Sequence, residues 1–227
     1  MTTAEWDLAE TGHRLLRKGH DLRVRVIELP AEHDGGHMLI FGEPTDGCLV
    51  RIHSRCLYGD ALQTDDCDCG PALEKAMDFI QAAGSGILIY LEQEGRGAGL
   101  VNKARGLRTS QQGRVDTFRS YAMLGLLPDT RRYEQAVAAL ERLQLKSIRL
   151  MTNNPDKVRA VQAAGIKVTV RSLHTRPRSM RALAYLEAKR VVGHTLPNNK
   201  GRLADLAAVR LWLRSGWFAM LRWSHGR

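Results

Sequence analysis

Three of the four cysteines lie close together in Arg51–Gly70, which reads RIHSRCLYGDALQTDDCDCG. Thiolates at Cys56, Cys67 and Cys69 match a zinc site with three protein ligands and a fourth position open to water, as in catalytic sites. Two alternatives stay open, which are a closed structural site that recruits a histidine and reduced cysteines without metal. His53 is the nearest histidine, but period-two alternation along a strand turns its side chain away from that of Cys56. The pattern therefore favours an open catalytic site.

A glycine-rich segment, EGRGAGL, follows the short apolar run GILIYLEQ. Gly95, Gly97 and Gly99 surround Arg96, so backbone N–H groups and a guanidinium can together face a phosphate. Neither the Walker pattern nor the Rossmann spacing is present. Phosphate binding is one interpretation, and an ordinary flexible turn is the other.

Two later motifs place charged side chains beside element ends. In LPDTRRY, Pro128-Asp129 predicts the start of a helix through Arg142, with Asp129 as a possible cap. Arg131 would then lie in the first turn, where a cation is slightly unfavourable unless an anion binds. In LMTNNPDKV, Lys157 follows a strand, where open α/β sheets bind ligands. An ordinary β–α turn is the alternative there.

The elements that position these residues are read from periodicity. LRVRVIEL, HMLIFGE and GCLVRIHS predict three strands of an antiparallel meander, whose third strand brings Arg51, His53 and Cys56 to one end of the sheet. A helix is predicted from just after Cys69 to a left-handed cap at Gly84. SIRLMT, VRAVQAAG and IKVTVRSL predict a βαβ unit. The fold class is therefore α/β (α+β), a mixed sheet with antiparallel N-terminal strands and βαβ units.

Composition limits the functions that these motifs can serve. Hydrophobic and charged contents of 44% and 26% are those of a globular protein and argue against disorder. The net charge of +10 attracts polyanions, whether nucleic acid, an anionic membrane surface or a phosphorylated substrate. No apolar run has the length of a signal peptide core or a membrane span, and clustered cysteines are typical of a reducing compartment. We expect a cytoplasmic protein.

Three regions are predicted along the chain. They are a helical leader at 1–21, a catalytic domain at 22–200 and a basic, tryptophan-rich extension at 201–227. The extension carries five arginines and one aspartate. It can contact an anionic membrane surface, nucleic acid or a partner, but packing against the protein's own body is the favoured interpretation.

Taken in order, the three cysteines with RIHS, GDAL, CDCG, QEGRGAGL, LPDTRRY and LMTNNPDKV resemble the GTP cyclohydrolase II family of riboflavin biosynthesis. The resemblance runs from about Leu22 to Leu196. It implies a homodimer in which the three cysteines of each subunit hold one Zn²⁺ and Mg²⁺ accompanies the triphosphate. It also implies hydrolysis of GTP, with release of formate and pyrophosphate. Zinc would activate a water molecule for attack at C8 of the purine.

The same resemblance assigns roles to individual residues. It implies that Asp129 is the proton acceptor and Arg131 the nucleophile. The substrate-binding positions it implies are Arg51, His53, Ser54, Arg55, Glu94, Gly95, Arg96, Thr117, Thr152 and Lys157.

The chain also differs from the family pattern around the expected base pocket. Arg55 stands where the family has glutamate, Ala72 where it has glutamine, and Arg119–Tyr121 where it has Glu-Ala-Asn, and an expected tyrosine near Leu107 is missing. A carboxylate is the natural acceptor for guanine N–H groups, and losing a matched partner costs selectivity. Two alternatives to GTP hydrolysis follow. One is a paralogue that opens another nucleotide or stops at an intermediate, and the other is a catalytically silent nucleotide- or nucleic-acid-binding protein.

Overall fold

The computed structural model describes residues 10–30, 35–113 and 115–197. They form one mixed seven-stranded sheet with the order β1-β2-β3-β5-β4-β6-β7. The strands are β1 His13–Arg17, β2 His20–Leu29, β3 Gly36–Phe41, β4 Cys48–Ser54, β5 Gly86–Leu91, β6 Ser147–Met151 and β7 Lys167–Arg171. The helices are α1 Leu57–Asp60, α2 Cys69–Ala83, α3 Gly99–Gly113, α4 Thr117–Met123, α5 Glu134–Arg142, α6 Pro155–Ala163 and α7 Met180–Val191, with a 3₁₀ turn at Glu94–Gly97. The mixed α/β fold class is confirmed.

Helices cover both faces of the sheet. On one face, Ala76 and Ile80 of α2 pack in a core with residues such as Phe41 and Leu88. On the other, α5 and α6 contribute Leu140 and Val161 to a core that includes Met38, Ile52 and Ile89. Because the central strands β5 and β4 are covered on both faces, most of their residues are buried, and β5 is almost wholly apolar.

The predicted helical leader is wrong over its described part. His13–Arg17 form β1, which pairs antiparallel with β2 from His13 opposite Val24 to Arg17 opposite His20. Lys18 and Gly19 both adopt left-handed backbone, with φ of 48° and 78°. Positive φ at both central residues is typical of a two-residue hairpin turn, so Lys18-Gly19 specifies a hairpin. Residues 1–9 lie outside the described part of the chain.

The predicted antiparallel meander is wrong at its third strand. β4 runs parallel to both neighbours, with Val50 opposite Ile87 of β5 and Cys48 opposite Ile148 of β6. The reason is α2, which crosses over between β4 and β5 and so makes a βαβ unit with parallel strands. β5 takes the place next to β3, and the carboxyl ends of β4, β5 and β6 come together.

The other element predictions have mixed outcomes. α2 begins at Cys69, and Gly84 caps it in a left-handed conformation with φ of 72°, as predicted. The strand–helix–strand unit β6–α6–β7 is also confirmed. The helix predicted from Asp129 instead begins at Glu134, because the preceding residues form a loop tied to the glycine-rich turn.

No helix within the described ranges is long and apolar enough to cross a membrane. The predicted extension 201–227 lies outside these ranges, and the three-region division stays a prediction.

Candidate active site

The three clustered cysteines converge at the carboxyl end of β4. Their sulfur atoms all lie within 4.8 Å of one another, and Cys56 Sγ is 3.9 Å from Cys67 Sγ. Cys56 comes just after β4, whereas Cys67 and Cys69 lie at the N-terminus of α2, whose positive end favours thiolates. His53 is not a member of the group. Cys48 is buried separately at the other end of β4.

The backbone around these sulfurs forms a close-fitting cradle. Gly59 N donates a hydrogen bond to Cys56 Sγ at 3.3 Å. A Cβ on Gly59 would lie 2.9 Å from both Cys67 Sγ and Cys69 Cβ, closer than packed atoms tolerate. Glycine at this position therefore leaves room for the cysteine loop.

The closeness of the three cysteine sulfurs favours a cation between them. The neighbouring thiols of Cys67 and Cys69, together with Lys103, lower the pKa of Cys56. The pKa of Cys67 is raised, chiefly by Cys56 and Cys69, because a second thiolate beside the first is disfavoured. Three thiolates can coexist there only with a cation, which deprotonates its sulfur ligands.

Lys103 of α3 is a site residue that the sequence did not reveal. Its Nζ lies 3.2 Å from Cys56 Sγ and 2.7 Å from Glu94 Oε1. Glu94 is buried, and it also accepts hydrogen bonds from Gly95 N at 3.0 Å and Leu57 N at 2.6 Å. Glu94 therefore joins the glycine-rich turn to the cysteine loop. In the sequence, the available signal was a lysine in the helix that follows the glycine-rich segment, about one helical turn from the start of that helix.

His53 and Arg51 are held by a buried network on β4. Arg51 donates to Met151 O at 2.9 Å and to His53 Nδ1 at 3.2 Å, and His53 Nε2 donates to Asp60 Oδ2 at 2.9 Å. Burial, which outweighs Asp60, lowers the pKa of His53. His53 is therefore a neutral imidazole with its proton on Nε2, and it orients Arg51.

Asp60, from the GDAL motif, is the centre of this network. Besides His53, its Oδ2 accepts hydrogen bonds from Cys56 N at 3.0 Å and from the Tyr90 hydroxyl at 2.9 Å. One carboxylate thus connects the cysteine loop to the strand that carries Arg51. The GDAL motif is recognisable in the sequence, but the sequence alone predicts no role for Asp60.

Arg96 is enclosed by aromatic rings. Its Cζ lies 3.6 Å from the ring centroid of Phe118 and 5.6 Å from that of Tyr185, distances typical of cation–π contacts. Nη2 donates to Thr117 Oγ1 at 3.0 Å, while Nη1 is buried without a hydrogen-bond partner among the residues that the structure describes. A buried guanidinium N–H without a partner is costly, so this donor points to a ligand acceptor.

Lys157 lies under the same site. Its Nζ donates to Ile52 O at 2.9 Å and lies 3.5 Å from Ser54 Oγ. Burial, reinforced by the charges of Arg51 and Arg131, lowers the pKa of Lys157 well below its usual value. Thr152 is buried just after β6 and accepts a hydrogen bond from Asn154 N at 3.0 Å. An anionic ligand is the natural partner for this concentration of positive charge.

Asp129 and Arg131 form an ion pair in the loop that precedes α5. Arg131 Nε donates to Asp129 Oδ1 at 2.9 Å, and its Nη2 donates to Oδ2. Thr130 N donates to Arg96 O at 3.0 Å, which fixes this loop on the glycine-rich turn. The loop is also held by Gln93, whose amide donates to Arg132 O.

Two positions that differ from the family pattern lie at the surface. Arg55 Nη1 donates to Glu92 Oε2 at 2.6 Å, and both side chains are about two-fifths exposed. Arg119 is exposed. Tyr121 is instead buried, and its hydroxyl donates to Gly95 O at 3.1 Å. The structure therefore brings together the predicted site residues from β4, the glycine-rich turn, the 129–131 loop and α6, but directs the Arg55 side chain outward.

Comparison with known proteins agrees with this arrangement. The family model described as GTP cyclohydrolase II matches residues 17–172. The protein named GTP cyclohydrolase-2 of Neisseria meningitidis serogroup A / serotype 4A is 48% identical over 135 residues, which are 59% of this chain and 68% of that protein. GTP cyclohydrolase-2 of Neisseria gonorrhoeae has the same identity and coverage. GTP cyclohydrolase-2 of Acinetobacter baumannii strain SDF is 44% identical over 147 residues, 65% of this chain and 73% of that protein.

Proposed function

Because the chain belongs to the GTP cyclohydrolase II family and is a hydrolase of that family, we propose that it opens the imidazole ring of GTP and releases formate and pyrophosphate, the first step of riboflavin biosynthesis. The observation that carries this proposal is the placement of three cysteine sulfurs within 4.8 Å of one another, at the end of the strand that carries the half-buried Arg51 and near the buried Lys157. A metal centre for ring opening and a polyphosphate pocket thereby share one site.

The cysteines fit Zn²⁺ by number, by sulfur chemistry and by their packing around Gly59. We assign one Zn²⁺ per subunit to Cys56, Cys67 and Cys69. When bound, it would supply an acidified water molecule for attack at C8 of the purine, which leads to loss of formate. Lys103 supports the thiolate form of Cys56, and Glu94 fixes the ammonium of Lys103.

The triphosphate end is assigned to the other half of the site. Arg131 is proposed as the nucleophile at the α-phosphorus and Asp129 as its proton acceptor, because the two side chains form a paired unit beside Arg96 and Lys157. An ordinary guanidinium is a poor nucleophile because its pKa is above about 12, so the role of Asp129 is to orient it and take its proton. Arg51, Arg96 and Lys157, with Mg²⁺ on the phosphates, would neutralise the charge of the leaving pyrophosphate.

The remaining predicted positions are proposed to line or support the substrate pocket. Ser54 donates to Gln93 Oε1 at 3.0 Å, and Thr117 accepts from Arg96. Gly95 presents its backbone in a left-handed conformation with φ of 60°. His53 and Thr152 act through their neighbours rather than by direct contact, because both are buried and hydrogen-bonded within the protein.

A second candidate function is motivated by the sequence at positions 55 and 119, where Arg55 and Arg119 replace the glutamates of the family pattern and cannot accept hydrogen bonds from guanine. It is the opening of another purine nucleotide by the same metal and Asp129–Arg131 pair.

We also propose that the subunit forms a homodimer. Three exposed apolar side chains, Val101, Met123 and Leu127, on or just after α3 and α4 support an interface there. Light scattering in solution tests the homodimer.

The experiment for the main proposal incubates the zinc-loaded protein with GTP and Mg²⁺ and measures formate and pyrophosphate separately. Both products at equal rates support the proposal. Pyrophosphate without formate contradicts the assigned ring opening. If GTP gives neither product but another purine triphosphate gives both, the second function is supported.

A matched pair of variants tests the metal assignment. Cys69→Ser removes a proposed ligand and is expected to abolish zinc binding and formate release. Cys48→Ser is the control, because Cys48 is buried away from the cluster, and its zinc content should equal that of the unmodified protein.

A further inference from the structure

Helix α7 contacts the cysteine loop although it lies beyond residue 172, where the family match ends. Its N-cap residue Ser179 donates to Asp65 O at 2.7 Å. Arg181 lies 3.2 Å from Asp66 Oδ2, and Lys189 Nζ lies 2.6 Å from Asp68 Oδ1. Three contacts from one helix thus hold the loop that carries Cys67 and Cys69.

The contact at Lys189 differs from the other two in burial. The side chains of Lys189 and Asp68 are 17% and 8% exposed, whereas those of Arg181 and Asp66 are 65% and 40% exposed. An exposed ion pair contributes little because water screens it, but removing one member of a buried pair leaves an uncompensated charge. Only the Lys189–Asp68 pair is therefore expected to matter strongly for the loop.

Asp68 stands between the two cysteines and is also the N-cap residue of α2. An aspartate at an N-cap ordinarily accepts a hydrogen bond from a backbone N–H of the first turn. Asp68 makes no such side-chain bond, because its carboxylate is directed to Lys189. Lys189 Nζ and Asp68 Oδ1 are close enough for a charge-assisted hydrogen bond, so the lysine pairs directly with this carboxylate.

Without the charge of Lys189, the carboxylate of Asp68 would lie unpaired next to the thiolates of Cys67 and Cys69. Repulsion between these negative groups would displace the loop or pull it toward solvent. Lys103 already contacts the cluster at Cys56. Lys189 provides a positive charge in direct contact with the Cys67–Cys69 segment.

We propose that Lys189 is a positioning residue for the metal site, which holds the Cys67–Cys69 segment through Asp68 and so slows release of the bound ion. This inference rests on the metal assignment in the proposed function. Residues around metal ligands commonly change metal affinity by about 10- to 100-fold when mutated. Lys189 lies 121 positions from Asp68 along the chain, so α7 becomes part of the metal site.

The test measures the rate at which excess chelator removes Zn²⁺ from the full chain, with a chromogenic indicator. Lys189→Met is expected to release zinc about 10-fold faster or more. Arg181→Met is the matched control on the same helix and loop, and it should release zinc at the rate of the unmodified protein. Lys189→Arg keeps the charge and should restore most of the retention.

A double variant separates loop positioning from a general loss of packing. Asp68→Asn combined with Lys189→Met removes both charges, so its zinc release should be slower than that of Lys189→Met alone. In Co²⁺-loaded protein, the d–d and thiolate charge-transfer bands should shift for Lys189→Met and not for Arg181→Met. If Lys189→Met does not fold, Lys189→Gln, which also removes the charge, takes its place in each comparison.

The outcomes distinguish this inference from the function on which it rests. If the unmodified protein holds no zinc, the metal assignment and the inference both fail. If it holds zinc and hydrolyses GTP but Lys189→Met releases zinc at the same rate, only the inference fails. Equal acceleration in Arg181→Met, or a double variant no slower than Lys189→Met, also overturns it, because the effect would then not run through the charge of Asp68.

Discussion

The guanidinium of Arg131 lies against the carboxylate of Asp129, with Nε hydrogen-bonded to both Asp129 oxygens at 2.9 and 3.1 Å. Asp129 Oδ1 also accepts a hydrogen bond from Arg131 N at 3.1 Å, so one carboxylate fixes both the backbone and the side chain. Burial raises the pKa of Asp129, but Arg131 outweighs it and lowers the pKa overall. The carboxylate is therefore ionised at neutral pH and held against the guanidinium of Arg131, the group for which it is proposed as proton acceptor.

Asp129→Asn tests this relationship, because it keeps the shape of the side chain and removes its charge and proton affinity. Pyrophosphate release should fall by about 10²- to 10⁴-fold, as expected for loss of a general base, while zinc content stays unchanged. Asp21→Asn is the control, since Asp21 pairs with Arg14 in an exposed contact on the first hairpin. Pyrophosphate release by Asp129→Asn at the rate of the control would contradict the assignment.

Gly106 allows α3 and α4 to approach each other closely. A Cβ at this position would lie 2.5 Å from Tyr121 Cε1 and 2.8 Å from Cδ1. Tyr121 in turn donates its hydroxyl to Gly95 O. Gly106→Ala should therefore displace the Tyr121 ring and disturb the glycine-rich turn that carries Arg96.

We expect Gly106→Ala to lower the free energy of unfolding by about 1–3 kcal/mol, the usual cost of overpacking a core, and to raise the KM for GTP. Gly113→Ala is the matched control in the same helix, because a Cβ there meets only Val115 at 3.7 Å. Urea unfolding of both variants checks the difference. A Gly106→Ala variant as stable and active as Gly113→Ala would show that the ring has room to move.

Local sequence signals predicted the elements that carry the site. Cys69 at the start of α2, Gly84 at its end and the strand before Gly95 all follow from spacing and cap residues over a few positions. The hairpin at Lys18-Gly19 carries such a signal too, but the loose spacing of Trp6, Leu8, Leu15 and Leu16 favours the predicted helical leader. Two-residue turn chemistry outweighed that weak periodicity.

Contacts between distant parts of the chain were not predictable in this way. Asp60 and Tyr90 are 30 positions apart, and Lys189 and Asp68 are 121 apart. No periodicity connects such residues, because their proximity depends on the strand order. The placement of β5 between β3 and β4 determines which side chains meet, and a meander of the first strands would have arranged them differently.

Lys157 gives a prediction about pH, because its amine is buried beside Arg51 and Arg131. Its pKa is lowered in the folded state, whereas an unfolded chain has the ordinary value of about 10.4. Between these two pKa values the unfolded state binds more protons, so the free energy of unfolding of the ligand-free protein rises with pH across that window. Above about pH 10.4 the amine is neutral in both states, and its burial costs no charging energy. As the pH falls from there through the lowered pKa, the folded protein loses stability, because the amine then has to be charged inside it.

Lys157→Met should remove this contribution, so its unfolding free energy should depend less on pH over the same window. The absolute stability of the variant also reflects the lost hydrogen bond to Ile52 O, and the slope against pH is therefore the measurement that decides. Urea unfolding between pH 7 and 10 provides it, with Lys75→Met as the control, because Lys75 on α2 also donates to a backbone carbonyl, that of His174, at 2.8 Å. A bound triphosphate would return the proton to Lys157. GTP binding to the unmodified protein should therefore take up protons, and binding to Lys157→Met should take up fewer. Calorimetry in buffers of different ionisation enthalpy measures this uptake. Parallel stability curves and equal proton uptake would show that Lys157 is already charged without ligand.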